Sequence, residues 1–227
     1  MELNREARDL LRKIVEGQAY RLLMLANIRA HGLKFVPELE GKTALAQDLG
    51  DALRQVADVQ ALYARVSDAG LLAAVRKRME RIPYPTSRLE LALCLFLCER
   101  VERAALLAYT DSASEELAAV SKSRVARMRA ADVPDDPAFL EYCADPTNRP
   151  HAQALFNRWL AVTLVALGRP DSPGDARAVE LGLRSRRVAR IVREYLDELG
   201  PFLARTGLAL PEAATLGIEL PQPRIQR

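Results

Sequence analysis

Apolar residues recur along this chain at three- and four-residue steps, and the alternation expected of strands is almost absent. The first helix is predicted from about Arg5 to about His31, with Leu10, Leu11, Ile14, Leu22, Leu25 and Ile28 on one broad face. After Phe35-Val36-Pro37, a second helix is marked by Leu45, Leu49, Ala52, Val56, Val59 and Tyr63. It continues or restarts through Leu71, Leu72, Val75 and Met79, and the prolines of Ile82-Pro83-Tyr84-Pro85 end it. Ser87 followed by Glu90 reads as a capping box: the serine oxygen takes a backbone N–H and the glutamate returns to the serine's own N–H. From Leu89 to Cys98 nearly every residue is apolar, so the third helix is expected to be enclosed on almost all sides.

Ser112 with Glu115 opens a fourth helix reaching about Ala131. Asp132 to Pro150, with four prolines and several acids, reads as a connection holding at most a short turn. A fifth helix carries Leu155, Phe156, Trp159, Leu160, Leu164 and Leu167 and stops at Gly168. Ser172-Pro173 starts a sixth, whose stripe is Val188, Ile191, Val192, Tyr195, Leu196 and Leu199. The expected architecture is all-α and a single domain over 1–227: a core bundle over about 5–131, a helical extension over about 149–207 and a tail over 208–227.

Composition narrows the chemistry. Half the residues are apolar (49%), enough for a sizeable core. Thirty-three Lys and Arg against thirty Asp and Glu leave a net charge of +3, so nothing in bulk charge points to nucleic acid. Three cysteines, Cys94, Cys98 and Cys143, lack scaffold spacing, and the charged beginning MELNREARDLL is unlike a signal peptide; the expected location is cytoplasmic. The longest apolar run, Leu91 to Cys98, is too short to span a bilayer.

Histidine is scarce. Oxygen-activating helical bundles need a Glu-x-x-His pair from each of two helices, yet the positions three before His31 and His151 are Ile28 and Asn148. His31 ends a helix, where a cation suits the dipole, and His151 reads as a loop residue. Cys94 and Cys98, one turn apart without a third donor, read as core fillers. No phosphate loop or nucleophile elbow occurs. Basic residues gather at Arg76, Lys77, Arg78 and Arg81, at Lys122, Arg124, Arg127 and Arg129, and at Arg184, Arg186, Arg187, Arg190 and Arg193. The last is a candidate anion-binding cluster, weighed against a solvated helix face balanced by acids.

Several stretches carry a family resemblance: HGLKFVPELEGKTALAQDLGDALRQVADVQALYARV from His31, RIPYPTSRLELALCLFLCER from Arg81, FNRWLAVTLVALGRPDS from Phe156 and RSRRVARIVREYLDELGPFLARTGLALP from Arg184. In these the chain resembles the ferritin-like family that includes the phenylacetyl-CoA epoxidase subunits of aerobic phenylacetate catabolism. The resemblance implies a ferritin-like four-helix bundle with added C-terminal helices. It also implies a di-iron centre in oxidising members, with glutamates on the first and third helices and Glu-x-x-His on the second and fourth. Carried onto this chain, the second-helix motif falls on Asp51-Ala52-Leu53-Arg54, where arginine replaces the histidine and has no lone pair for a metal. The fourth-helix stretch SKSRVARMRAADV offers arginines and alanines, Glu99 or Glu102 stands at the third-helix position, and the first-helix neighbourhood holds Asn27 and His31.

The resemblance therefore implies a lost metal site: no cofactor, no catalytic residue and no metal ligand. Asp51, Arg54, Glu99 and Glu102 are the candidate vestigial site, with an Arg54 ion pair to one of the acids expected to fill it. The competing reading makes all four ordinary surface charges. The function implied is that of a non-catalytic structural or interaction subunit, like the metal-free subunit of a bacterial di-iron oxygenase, forming a homo-oligomer or pairing with an oxygenase partner through helix faces. The alternatives are a divergent oxidase or hydroxylase acting on an acyl-CoA or another small molecule, and a carrier using the vacated interior.

Overall fold

A computed structural model describes residues 4–128, 134, 136–170 and 172–212. Among the described residues the regular structure is helical, with no strand. Helix α1 (Arg5–Gly32) begins where the Asn4 side chain accepts the Ala7 N–H. After a 3-10 turn at Leu33–Phe35 come α2 (Leu39–Ala64) and, past a break at 65–70, the separate α3 (Leu71–Met79). Helix α4 (Arg88–Leu107) starts at Ser87, whose Oγ accepts the Glu90 N–H at 3.1 Å.

The Glu90 carboxylate does not close the expected box. It reaches one residue further back, accepting from the Thr86 N–H at 2.8 Å and the Thr86 hydroxyl at 2.7 Å, and its other oxygen takes the Trp159 indole N–H at 2.8 Å. Glu90 is therefore a buried cap that also anchors the aromatic core. These bonds hold its pKa below the ordinary carboxylate value although burial pushes the other way.

Helix α5 (Glu115–Arg127) is capped by Ser114 rather than Ser112. Ser112 instead accepts the Ser114 N–H, fixing the turn before the helix. The helix ends at Arg127, with Met128 already extended, short of the expected Ala131. Where a mere connection was expected, α6 (Ala138–Ala144) forms and buries Phe139 and Cys143. Helix α7 (Arg149–Leu167) takes Pro150 into its first turn, so His151 lies on a helix, not a loop. Its Nδ1 sits 2.9 Å from the Tyr142 hydroxyl.

The sixth predicted helix is three: α8 (Pro173–Glu180), α9 (Val188–Glu198) and α10 (Gly200–Thr206). Gly182 turns the chain between the first two at φ +68°, a left-handed conformation natural to glycine. Asp175 on α8 accepts the Val188 N–H at 2.9 Å and thereby caps α9 from outside it. The predicted tail begins by docking: Leu208 is buried, and Gln153 both donates to the Ala209 carbonyl at 2.8 Å and accepts its N–H at 3.0 Å. Residues 213–227 lie outside the described set.

Helices α1, α2, α5 and α4 touch in a closed ring, each against the next. α4 also meets α6, α7 and α9 on its other side, which is why its sequence is apolar nearly all round. The C-terminal helices are thus no peripheral addition. Trp159, Tyr195 and Phe202 are wholly buried, and one hydrophobic cluster runs continuously from Leu11 to Leu208. No helix among the described residues is long and apolar enough to cross a membrane.

Candidate functional site

The interior of the α1, α2, α4, α5 ring is charged. On α1 the apolar stripe is interrupted by Gln18 and Arg21; on α5 the stripe that holds Leu117 continues as Ser121 and Arg124. Helical spacing puts each of these pairs on one face, and Glu99 with Glu102 on α4 and Asp51 with Gln55 on α2 follow the same rule. Glu102 is the centre. Its Oε2 accepts from Arg21 Nε at 2.5 Å, and its Oε1 accepts from Arg124 Nη2. All three side chains are 3% exposed or less.

Neighbouring groups complete the arrangement. Arg124 Nε donates to Gln55 Oε1 at 3.0 Å, Arg21 Nη1 to the Ala166 carbonyl at 3.2 Å, and Gln18 to the Ser121 hydroxyl at 3.2 Å. Two cations sharing one carboxylate do not fare equally. Burial opposes the charge of Arg21, but Glu102 and then Tyr109 outweigh it and hold its pKa above the usual arginine value. Arg124 is pushed down, by burial first and also by the charge of Arg21, despite the pull of Glu102.

A cavity of about 130 Å³ lies beside this triad, lined by Leu22, Leu25, Asp48, Asp51, Gln55, Glu99 and Arg124 among others. Of the four candidate residues, then, the structure brings Glu102 into the interior and sets Asp51 and Glu99 in the cavity wall. Arg54 is elsewhere. It pairs with Asp51 one turn away on the outside of α2, with the two side chains 72% and 55% exposed. The expected buried Arg54 ion pair is therefore corrected: the interior pair is made by Arg21 and Arg124. Glu99 bonds Arg29 at 2.6 Å near the surface.

Both missed arginines left a trace. Arg21 lies seven residues after Ile14 and seven before Ile28, so a charge stands where the stripe demands a hydrophobe; Arg124 stands likewise seven after Leu117. Grouping Arg124 with Lys122, Arg127 and Arg129 as a basic patch ignored that phase. Arg129 lies outside the described residues.

The arginine cluster of the C-terminal region does not converge. Arg184 is buried against Asp175, Arg186 and Arg190 both bond Glu194, and Arg187 stands exposed at the start of α9, while Arg193 is only half-buried. Neither histidine meets a metal-binding partner set: among the described residues no group of three or more His, Cys, Asp and Glu is placed to hold a metal ion. His31 instead packs its ring 4.7 Å from that of Tyr84. Cys94 and Cys98 are fully buried in α4, and burial raises both thiols far above their ordinary pKa.

Chemically, the ring interior centres on Glu102, whose two oxygens are committed to Arg21 and Arg124, while Asp48, Asp51 and Glu99 face Arg29 and Arg127 across the adjoining cavity. A divalent cation placed there meets two guanidinium groups before it meets a free lone pair. No family model matches the chain, and no curated protein matches it.

Proposed function

We propose that this chain is a non-catalytic ferritin-like protein, a structural or interaction subunit in which a salt bridge stands where oxidising relatives carry metal. One observation carries the reading: Glu102, central in the ring of α1, α2, α4 and α5, is held on both oxygens by Arg21 and Arg124 with all three buried. The closed ring supports a four-helix bundle, and of Glu99 and Glu102, the two acids the resemblance sets at the third-helix ligand position, Glu102 is the one buried inside the ring. Guanidinium groups there neutralise the carboxylate that a metal would otherwise neutralise.

Association is the role left to such a scaffold. Helix α2 buries one narrow stripe through Leu45, Ala52, Val59 and Leu62, while Leu39 and Leu53 elsewhere on it are 78% and 53% exposed. Leu72 at the start of α3 is 56% exposed. These residues favour α2 and α3 as the face toward a second copy or an oxygenase subunit in the cytoplasm.

Metal analysis of protein purified without chelators, together with its mass in solution, tests the reading. Substoichiometric iron and manganese with an oligomeric mass, or a complex with a di-iron subunit, is the expected result. Near-stoichiometric iron or manganese overturns it.

A further inference from the structure

A second cavity, of about 230 Å³, opens on the other side of Arg21, between α1, α3 and the α7–α8 junction. Five cationic side chains reach its wall: Lys13, Arg21, Arg78, Arg169 and Arg184. Among the described wall residues the one carboxylate is Asp175, already bonded to Arg184 and to the Val188 N–H. Glu102 neutralises Arg21 from the far side. The wall therefore keeps a surplus of positive charge in a partly enclosed space, where field is least screened.

Two buried donors there are unspent. Arg21 uses Nε for Glu102 and Nη1 for Ala166; its Nη2 meets no acceptor in good hydrogen-bond geometry, although Tyr109 on the same wall helps to stabilise the charge and the side chain is 3% exposed. Arg184, 7% exposed, gives Nη2 to Asp175 and leaves its Nε without one. Buried N–H groups without acceptors are rare in folded proteins and mark a place for an ion or ligand. The start of α8 adds Ser172 to the wall, its side chain making no capping bond. Arg78, stacked 4.2 Å over the Tyr20 ring, has its pKa lowered by burial first and also by the nearby charge of Arg21, with Tyr20 and Glu16 pulling the other way.

We propose that this cavity binds a phosphate group carried by a small soluble metabolite, with Arg21 and Arg184 as the inner donors and Lys13, Arg78 and Arg169 as the outer ones. The geometry of guanidinium groups suits a tetrahedral oxyanion with several acceptors. The volume admits the phosphate and a few further atoms, not a large cofactor. The site shares Arg21 with the ring interior, but phosphate binding reads out this site and iron content reads out the other, so either reading can fail alone.

Inorganic phosphate is the first probe, by calorimetry and thermal shift against chloride at equal ionic strength. Saturable binding with a raised Tm is expected for phosphate and not for chloride. Lys13 and Arg169 are exposed, so Lys13→Gln with Arg169→Gln leaves the core intact, and the double variant is expected to weaken phosphate binding about tenfold or more while melting normally without ligand. Equal binding by the double variant, or equal shifts with phosphate and chloride, overturns the proposal. Arg21→Lys, which keeps the charge toward Glu102 but removes the fork, is expected to lose phosphate binding as well. Sedimentation of the protein with phosphatidic acid vesicles, without binding of soluble phosphate, overturns the soluble form of the ligand.

Discussion

Helix α4 separates two interiors built on opposite principles. Toward α1, α2 and α5 it offers Glu102 to two buried arginines; toward α6, α7 and α10 it offers Phe96, whose ring lies 4.8 Å from that of Phe202 among Phe139 and Phe156. The aromatic side gains by area and fit, which any hydrophobe of the right volume supplies in part. The charged side gains only while its partners match, because a buried charge without its counterpart is strongly unfavourable. One helix thus shows that a core can be held by shape on one face and by complementarity on the other.

Glu102→Ala is the harshest way to break the charged side. It leaves two buried guanidinium groups facing one another and is expected to cost about 3–5 kcal/mol, read as a lower denaturation midpoint at unchanged m. Replacing all three members together, Arg21→Met, Glu102→Leu and Arg124→Met, is expected to restore most of that loss, as apolar substitutes of similar volume often do. A triple variant as unstable as Glu102→Ala would show that the triad holds the helices by more than charge balance.

Glu90 sharpens the comparison, since it is a carboxylate that serves the aromatic side. Its folded pKa is depressed, so its contribution is fully present above the unfolded value of 4.5 and is lost as pH falls through the lower folded value. Glu90→Gln is expected to cost about 1.5–3 kcal/mol at pH 7, the range for hydrogen bonds to a charged group. The gap to the parent should narrow on acidification below pH 4.5, followed by chemical denaturation at stepped pH. A gap that stays constant down to pH 2 to 3 would remove the charge from the account.

The smallest effect belongs to Arg54→Ala. Its pair with Asp51 is solvated, and such pairs contribute about 0–1 kcal/mol, so a melting temperature shifted by no more than a few degrees is expected. A large loss here would return Arg54 to the interior and move the site back to α2.

Local chemistry was readable wherever the signal and its partner lie within a turn or two. The Arg5 start of α1, the Ser87 cap of α4 and the enclosure of Leu89 to Cys98 all follow from neighbouring residues. What escaped depends on distant partners. The division of the sixth helix rests on Asp175 capping Val188 from thirteen residues away, and Glu90 reads as half of a local box until Trp159, on α7, supplies the second half of its role. The site was half legible. The family resemblance pointed to Glu99 or Glu102 without choosing between them, and the arginine partners of Glu102 on α1 and α5 required a helix arrangement to find, although their phase within the apolar stripes was already anomalous.

Asp175 ties together two segments that no backbone ladder joins. Because one carboxylate both holds Arg184 and caps the first amide of α9, fraying of α8 leaves the Val188 N–H without its acceptor. Helices α8 and α9 are thereby made to open together rather than one by one.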